Sequence, residues 1–276
     1  LPPDMAALAN DHPEYVAALT KNRSWNYFIN ILDAGSYAIP LAILSEATVV
    51  PFFVSQLTSS ALIIGLLPML NWIGIHLPQL LGAYLVHAQQ RRQPTIIKLG
   101  WLERLAILGI FLAALTIGLW STAGTLWVFL LAYTALWGFT GLFIPAYSDF
   151  YAKHILVGRG FFYGVQTLLY GMMGLVGAGI IRWQLDSAQF PQNFQVLFGI
   201  AVVTSLPGMV AIHNMREVVF PQPPDSKSLG QYLGEIPALL KENRPFLRML
   251  LGLAALSLGK MNIPFVTVYA IQQFNR

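Results

Sequence analysis

An all-α membrane protein with about seven membrane-spanning helices is the fold class this sequence predicts, and three observations predict it. The first is composition. Of 276 residues, 56% are hydrophobic and only 10% charged, and the mean hydropathy is +0.60. Soluble domains carry roughly a quarter charged residues. A surface so poor in charge is favourable against lipid and unfavourable against water. The second is length. Apolar runs of the roughly 20 residues that a spanning helix needs recur along the whole chain. The third is the placement of Lys and Arg, which gather in alternate connections between those runs.

Taken in order, the predicted spans are 30–54, 60–86, 99–119, 124–147, 161–181, 195–212 and 249–270. The connections after the first and third carry no Lys or Arg. Those after the second and fourth carry Arg91, Arg92 and Lys98, then Lys153 and Arg159. Lys21 and Arg23 lie in the N-terminal tail. Arg216, Lys227, Lys241, Arg244 and Arg248 follow the sixth span. The opposite side holds Arg182 and Arg276. The positive-inside rule then predicts a cytoplasmic N-terminus. Trp101 on the inner side and Trp120, Trp127 and Trp183 on the outer side suit interfacial aromatic belts.

The net charge of +4 and pI near 9.3 follow from those loops, so topology explains them before nucleic acid does. There is no Cys, hence no disulfide framework and no Cys-ligated metal site. The first residues, LPPDMAALANDHPEYV, are polar and acidic, and no cleavable signal peptide is visible. The expected domains are a cytoplasmic tail over 1–28, a six-helix bundle over 29–212, a cytoplasmic loop over 213–246, and the seventh helix from 247 to 276. Within the loop, Leu229, Tyr232, Leu233, Ile236 and Leu240 recur at helical spacing. They predict an amphipathic helix on the inner surface.

The first and seventh spans share a pattern. EATVVPFFVSQL contains Glu46 and Pro51, and GKMNIPFVTVYAIQQF contains Lys260 and Pro264. Aligning the prolines sets Val50 on Ile263 and Phe52 on Phe265. A parallel repeat whose second half begins at the seventh span would give this. The tract TVVPFFVSQLTSSALIIGLLPMLNWIGIHLPQLLGAYL and the tract PAYSDFYAKHILVGRGFFYG extend the likeness. On these residues the sequence resembles the major facilitator superfamily of secondary transporters. The resemblance implies twelve helices in two six-helix halves with both termini cytoplasmic. This chain would be the first half, the central loop and the seventh helix of a longer protein. It further implies a signature after the second helix. Gly82 fits its glycine, and Arg91 and Arg92 fit its basic end. Val86 stands where an aspartate belongs and Gln89 where a second glycine belongs. The glycines of the fifth span (Gly171, Gly174, Gly177 and Gly179) lack the Gly-Pro step of the antiporter signature and are expected to let helices approach closely.

Charged and polar side chains inside apolar spans are the candidate functional residues, because a charge at the bilayer centre costs about 2.5–3.5 kcal/mol even on lenient scales. Glu46 and Lys260 are read as the deepest. They are expected either to pair across a central cavity or to contact substrate and a coupling proton. Trp72, His76 and Gln79 form one stripe of the second span. Tyr133 and Trp137 share a stripe with Gly141 on the fourth, and Gln166 and Tyr170 lie four apart on the fifth. All seven are candidate cavity residues, with plain helix packing as the competing reading. Asp33 is expected to reach the inner interface. Glu103, Arg104, Asp149 and Arg159 are placed at cytoplasmic helix ends. By resemblance Arg104, Asp149 and Arg159 join Gly82, Arg91 and Arg92 in an inner gate.

Other classes fit less well. A lysine in a seventh helix is shared by retinal proteins, but those have the N-terminus outside and a carboxylate at membrane depth on the third helix. Receptors fail on the same orientation. No HExxH, GxSxG or phosphate-binding loop is present, so no enzyme, cofactor or metal is expected. The expected function is secondary active transport of a small solute by alternating access, in the cell membrane. The expected partners are the lipid bilayer, a small-molecule substrate and a coupling proton, without nucleic acid, in a protein that is monomeric at full length.

Overall fold

The computed structural model describes residues 10–87, 89–219 and 228–259, together with Val266, Tyr269 and Gln273. It is all-α. In chain order the helices are α1 (Pro13–Ile43), α2 (Val49–Leu57), α3 (Ala61–His87), α4 (Gln93–Leu115), α5 (Thr122–His154), α6 (Arg159–Ser187), α7 (Gln192–His213), α8 (Leu229–Glu242) and α9 (Arg244–Gly259). Among the described residues, four helices, α3, α5, α6 and α7, are long and apolar enough to cross a membrane. The three charges Lys98, Glu103 and Arg104 keep α4 outside that composition, and Asn26, Asn30 and Asp33 dilute α1. Lys260, Pro264 and much of the predicted seventh span lie outside the described residues.

The predicted first span, 30–54, is broken. α1 ends at Ile43 and α2 begins at Val49. Pro51 supplies the physical reason. In a continuous helix its ring would collide with the carbonyl four residues back, that of Ala47, and it has no N–H to bond it. In the first turn of a new helix neither matters, because those N–H groups have no intrahelical partner. The chain between is held locally. Leu44 N donates to Pro40 O at 2.8 Å, and Ala47 N donates to Ser45 Oγ at 3.2 Å.

The predicted third span also shifts. α4 starts at Gln93, six residues before the expected 99, with Pro94 in its first turn. Its free N-terminal amides are met by a carboxylate from the far side of the sequence. Glu217 accepts from Arg92 N at 2.6 Å and from Gln93 N at 3.1 Å. A negative charge there also suits the helix dipole.

The helices pack in the spatial order α3, α5, α4, α7, α1, α6. Glycines set the two outer contacts of this series. A Cβ on Gly82 would fall 2.5 Å from Leu142 O, and one on Gly141 would fall 2.5 Å from both Gly74 O and Ile75 O. So α3 and α5 cross almost backbone to backbone. At the other end, a Cβ on Gly177 would meet Ala42 Cβ at 3.0 Å, and one on Gly35 would meet Leu169 Cδ2 at 2.8 Å. Among the four glycines singled out in α6, Gly177 alone does this. Gly171, Gly174 and Gly179 have nothing within 4 Å, because they lie on the face that α6 turns away from the bundle.

Candidate functional site

One group of the bundle's polar residues collects around a cavity. It has a volume of about 410 Å³ and is bounded by α1, α4, α5 and α6. Asp33 and Tyr37 reach it from α1, Glu103 and Arg104 from α4, Thr140, Phe143 and Tyr147 from α5, and Gln166 and Tyr170 from α6. Asp33, Glu103 and Arg104 are buried, at 7%, 2% and 5% exposure.

These placements correct the sequence reading of three charges. Asp33 is buried within α1 instead of exposed, and Glu103 and Arg104 do not sit at a helix end. Because α4 begins at Gln93, they fall near the middle of its 23 residues. Buried charges must be paired and hydrogen-bonded. Arg104 Nη1 donates to Glu103 Oε2 at 2.8 Å and to Gly100 O at 3.4 Å, and its Nε donates to Ser205 O at 3.3 Å. Its guanidinium carbon lies 4.7 Å from the centre of the Tyr37 ring. The Tyr147 hydroxyl donates to Asp33 Oδ2 at 2.5 Å. Gly208 on α7 makes room for the group. A Cβ there would fall 2.6 Å from Asp33 Oδ1, 2.6 Å from Ser36 Oγ and 3.1 Å from Arg104 Nη2.

A hydrogen-bonded chain leads from α6 to Asp33. Gln166 Nε2 donates to the Tyr151 hydroxyl at 2.8 Å, which donates to the Tyr147 hydroxyl at 3.2 Å. Tyr147 serves both Asp33 and Asn30. Further along α1, Asn26 bonds the backbone of Arg216 in both directions at 3.0 Å, which fastens α1 to the chain after α7.

Of the nine predicted cavity residues, Gln166 and Tyr170 are brought to this cavity. The others lie elsewhere. Glu46 is half-buried in the break between α1 and α2, within electrostatic reach of the Tyr133 hydroxyl. Tyr133 and Trp137 are buried in α5 with their rings 5.9 Å apart, and Tyr133 Oη and Trp137 Nε1 have no hydrogen-bond partner of sound geometry among the described residues. Trp72 and His76 stack at 4.5 Å on the outward side of α3, with His76 exposed and bonded to Trp72 O at 2.9 Å. Gln79 is half-buried one turn on. Lys260 lies outside the described residues, so its pairing with Glu46 has no geometry to describe.

The six predicted gate residues separate likewise. Arg92 and Asp149 come together, with Arg92 Nε 2.6 Å from Asp149 Oδ2 and Lys153 Nζ 2.8 Å from the same oxygen. Arg91 is exposed. Arg159 donates to Ile155 O at 2.6 Å and Ala152 O at 2.7 Å, so it caps the end of α5. Gly82 serves the α3–α5 contact, and Arg104 belongs to the buried cluster.

Asp33, Asn30, Tyr147 and Glu217 carry no role in the sequence reading. Pro94 was the available signal for the depth of Glu103 and Arg104, since a proline marks the first turn of a helix. No signal in the sequence joins Asp33 to Tyr147. No known protein family, no curated protein and no solved structure matches the chain.

Proposed function

We propose that the chain is the first half, central loop and seventh helix of a secondary transporter of the major facilitator type, which moves a small solute by alternating access. One observation carries the reading, the packing order α3, α5, α4, α7, α1, α6. Let α1 with α2, α3 and α4 form one group of three, and α5, α6 and α7 the other. Exchanging α1 with α5, α3 with α6 and α4 with α7 turns the order into its own reverse. Three spans per group is an odd number, so the second group starts from the opposite face. Inverted three-helix repeats of this kind are nested within each half of major facilitator transporters. The glycine contacts follow the same exchange, α3 on α5 and α6 on α1. A buried charged cluster beside a cavity is what such a half would contribute to a transport path.

Two measurements test it. Reading the gene past Arg276 should reveal five further apolar segments with Lys and Arg on alternate sides. Residues 1–276 contain no Cys, so once any Cys beyond Arg276 is replaced by Ser, a single Tyr170→Cys change in the full-length product reports accessibility cleanly. A membrane-impermeant maleimide should label it from both sides, in proportions that an imposed proton gradient shifts. A stop codon directly after Arg276, or labelling from one side under every condition, overturns the reading.

A further inference from the structure

The charges around the cavity do not balance. Asp33 and Glu103 face it with one formal negative charge each, and Arg104 is the one cation among the described residues that lines it. Arg104 gives Nη1 to Glu103 and Gly100 O, Nε to Ser205 O and its face to Tyr37, while its Nη2 lies on the Asp33 side without an ion pair to it. Asp33 is left with the Tyr147 hydroxyl on one oxygen and forms no ion pair within 4.0 Å among the described residues. Seven per cent exposed, it shares with Glu103 the single guanidinium of Arg104, so the two buried carboxylates are short of one counter-charge.

The remaining wall is aromatic and apolar. Tyr37, Phe143 and Tyr170 contribute rings, and Leu41 and Ile144 contribute aliphatic surface. Aromatic faces attract cations, most strongly where water is excluded. The volume of about 410 Å³ lies within the range of small-molecule sites, about 300–1,000 Å³, and far exceeds what a proton or a bare metal ion requires.

We propose that this cavity binds a monovalent organic cation with an aromatic or apolar body, its charge set against Asp33 and its body against Tyr37, Phe143 and Tyr170. Binding stands on the cavity alone. That the cation is cargo rests on the transporter reading.

The test is equilibrium binding of tetraphenylphosphonium to the full-length product in lipid nanodiscs, with neutral triphenylphosphine oxide as the competitor. Saturable binding is expected, and unlabelled phosphonium should displace the probe at least tenfold better than the oxide. Asp33→Asn should weaken binding at least tenfold, while Asp186→Asn, on the exposed end of α6, should leave it unchanged. Equal competition by the oxide, an absence of saturable binding, or unaltered binding by a folded Asp33→Asn chain would each overturn the cation site. If Asp33→Asn does not elute as a single species, the comparison of phosphonium with oxide on the unaltered chain decides the matter alone. Saturable binding without uptake of any solute by the full-length product in proteoliposomes would sink the transporter reading and leave the site. Uptake of other solutes without phosphonium binding would do the reverse.

Discussion

The bundle has two halves of opposite chemistry. Around α2 it is closed by hydrocarbon. Phe53 is fully buried and lies 4.8 Å from Phe129, 5.2 Å from Phe194 and 5.1 Å from Phe198, ring centre to ring centre. Val49, Val50 and Val54 fill the space beneath. Around Asp33 and Arg104 it is held by charge and hydrogen bonds, with a cavity alongside. Lipid is as apolar as a protein core, so the α2 half gains little from the hydrophobic effect and depends on close packing. The polar half depends on satisfied pairs. One half should therefore be sensitive to lost volume and the other to lost partners.

The largest expected effect is on the polar half. Arg104→Met leaves Glu103 buried without its partner, and breaking a buried pair in this way costs about 3–5 kcal/mol. Adding Glu103→Gln should recover much of that loss, because no uncompensated charge then remains at the pair. A denaturing-detergent titration of both chains measures it. A double variant no more stable than the single one would mean that Arg104 acts mainly through Tyr37 and the α7 backbone.

Phe53→Ala examines the other half. It removes a ring from the centre of four and should cost about 3 kcal/mol in the same titration. Phe28→Ala is the comparison, since Phe28 is 58% exposed and should change stability by less than about 0.5 kcal/mol. Equal effects at the two positions would refute the idea that packing closes the α2 half.

Glycines sharpen the contrast on a smaller scale. Gly141→Ala forces a methyl group against two carbonyl oxygens and should cost about 1–3 kcal/mol. Gly171→Ala meets nothing within 4 Å and should stabilise α6 by about 0.5–1 kcal/mol through helix propensity. The sign difference matters more than the sizes, because composition alone treats the two glycines alike.

Legibility followed the same division. Hydropathy runs located α3 and α7 to within three residues and the starts of α5 and α6 to within two, but α5 and α6 run seven and six residues past the predicted ends, because hydropathy follows the apolar stretch of a helix and misses its polar last turns. The break at 44–48 was less visible. Pro51 lies in an otherwise apolar run, and a proline in a spanning helix is compatible with either a kink or a stop. The buried charges were misread because hydropathy discounts Lys98 and so starts α4 too late, which pushed Glu103 and Arg104 toward an interface. Asp33 was illegible for a deeper reason. Its partner Tyr147 is 114 positions away on a helix that reaches it only through the α5 to α1 crossing. Sequence spacing within one helix contains no trace of that contact. Gln166 and Tyr170 were found from polarity at i and i+4 on one face, a local pattern that survives folding intact.

Glu217 gives the finest test of how the polar half is held. Its carboxylate stands before the first turn of α4 and receives the amides of Arg92 and Gln93. Gln93 in turn donates through Nε2 to Ile212 O at 3.1 Å and Met215 O at 2.9 Å. So the start of α4 is tied to the end of α7 by a charge in one direction and an amide in the other. Glu217→Gln removes the charge and one of the two acceptors, so the loss should be about 1–2 kcal/mol, about 0.3–1 kcal/mol for the anion at a helix N-terminus and about 0.5–1.5 kcal/mol for the lost hydrogen bond. That loss should shrink as salt is raised, since charge interactions near a surface are screened within about 10 Å at 0.1 M ionic strength. Arg104 is 5% exposed, and the cost of Arg104→Met should move with salt less than that of Glu217→Gln. If both losses fell equally as salt rose, the Arg104 cluster would be as open to water as the Glu217 carboxylate, and the contrast between a buried charged cluster and a solvated helix end would be wrong.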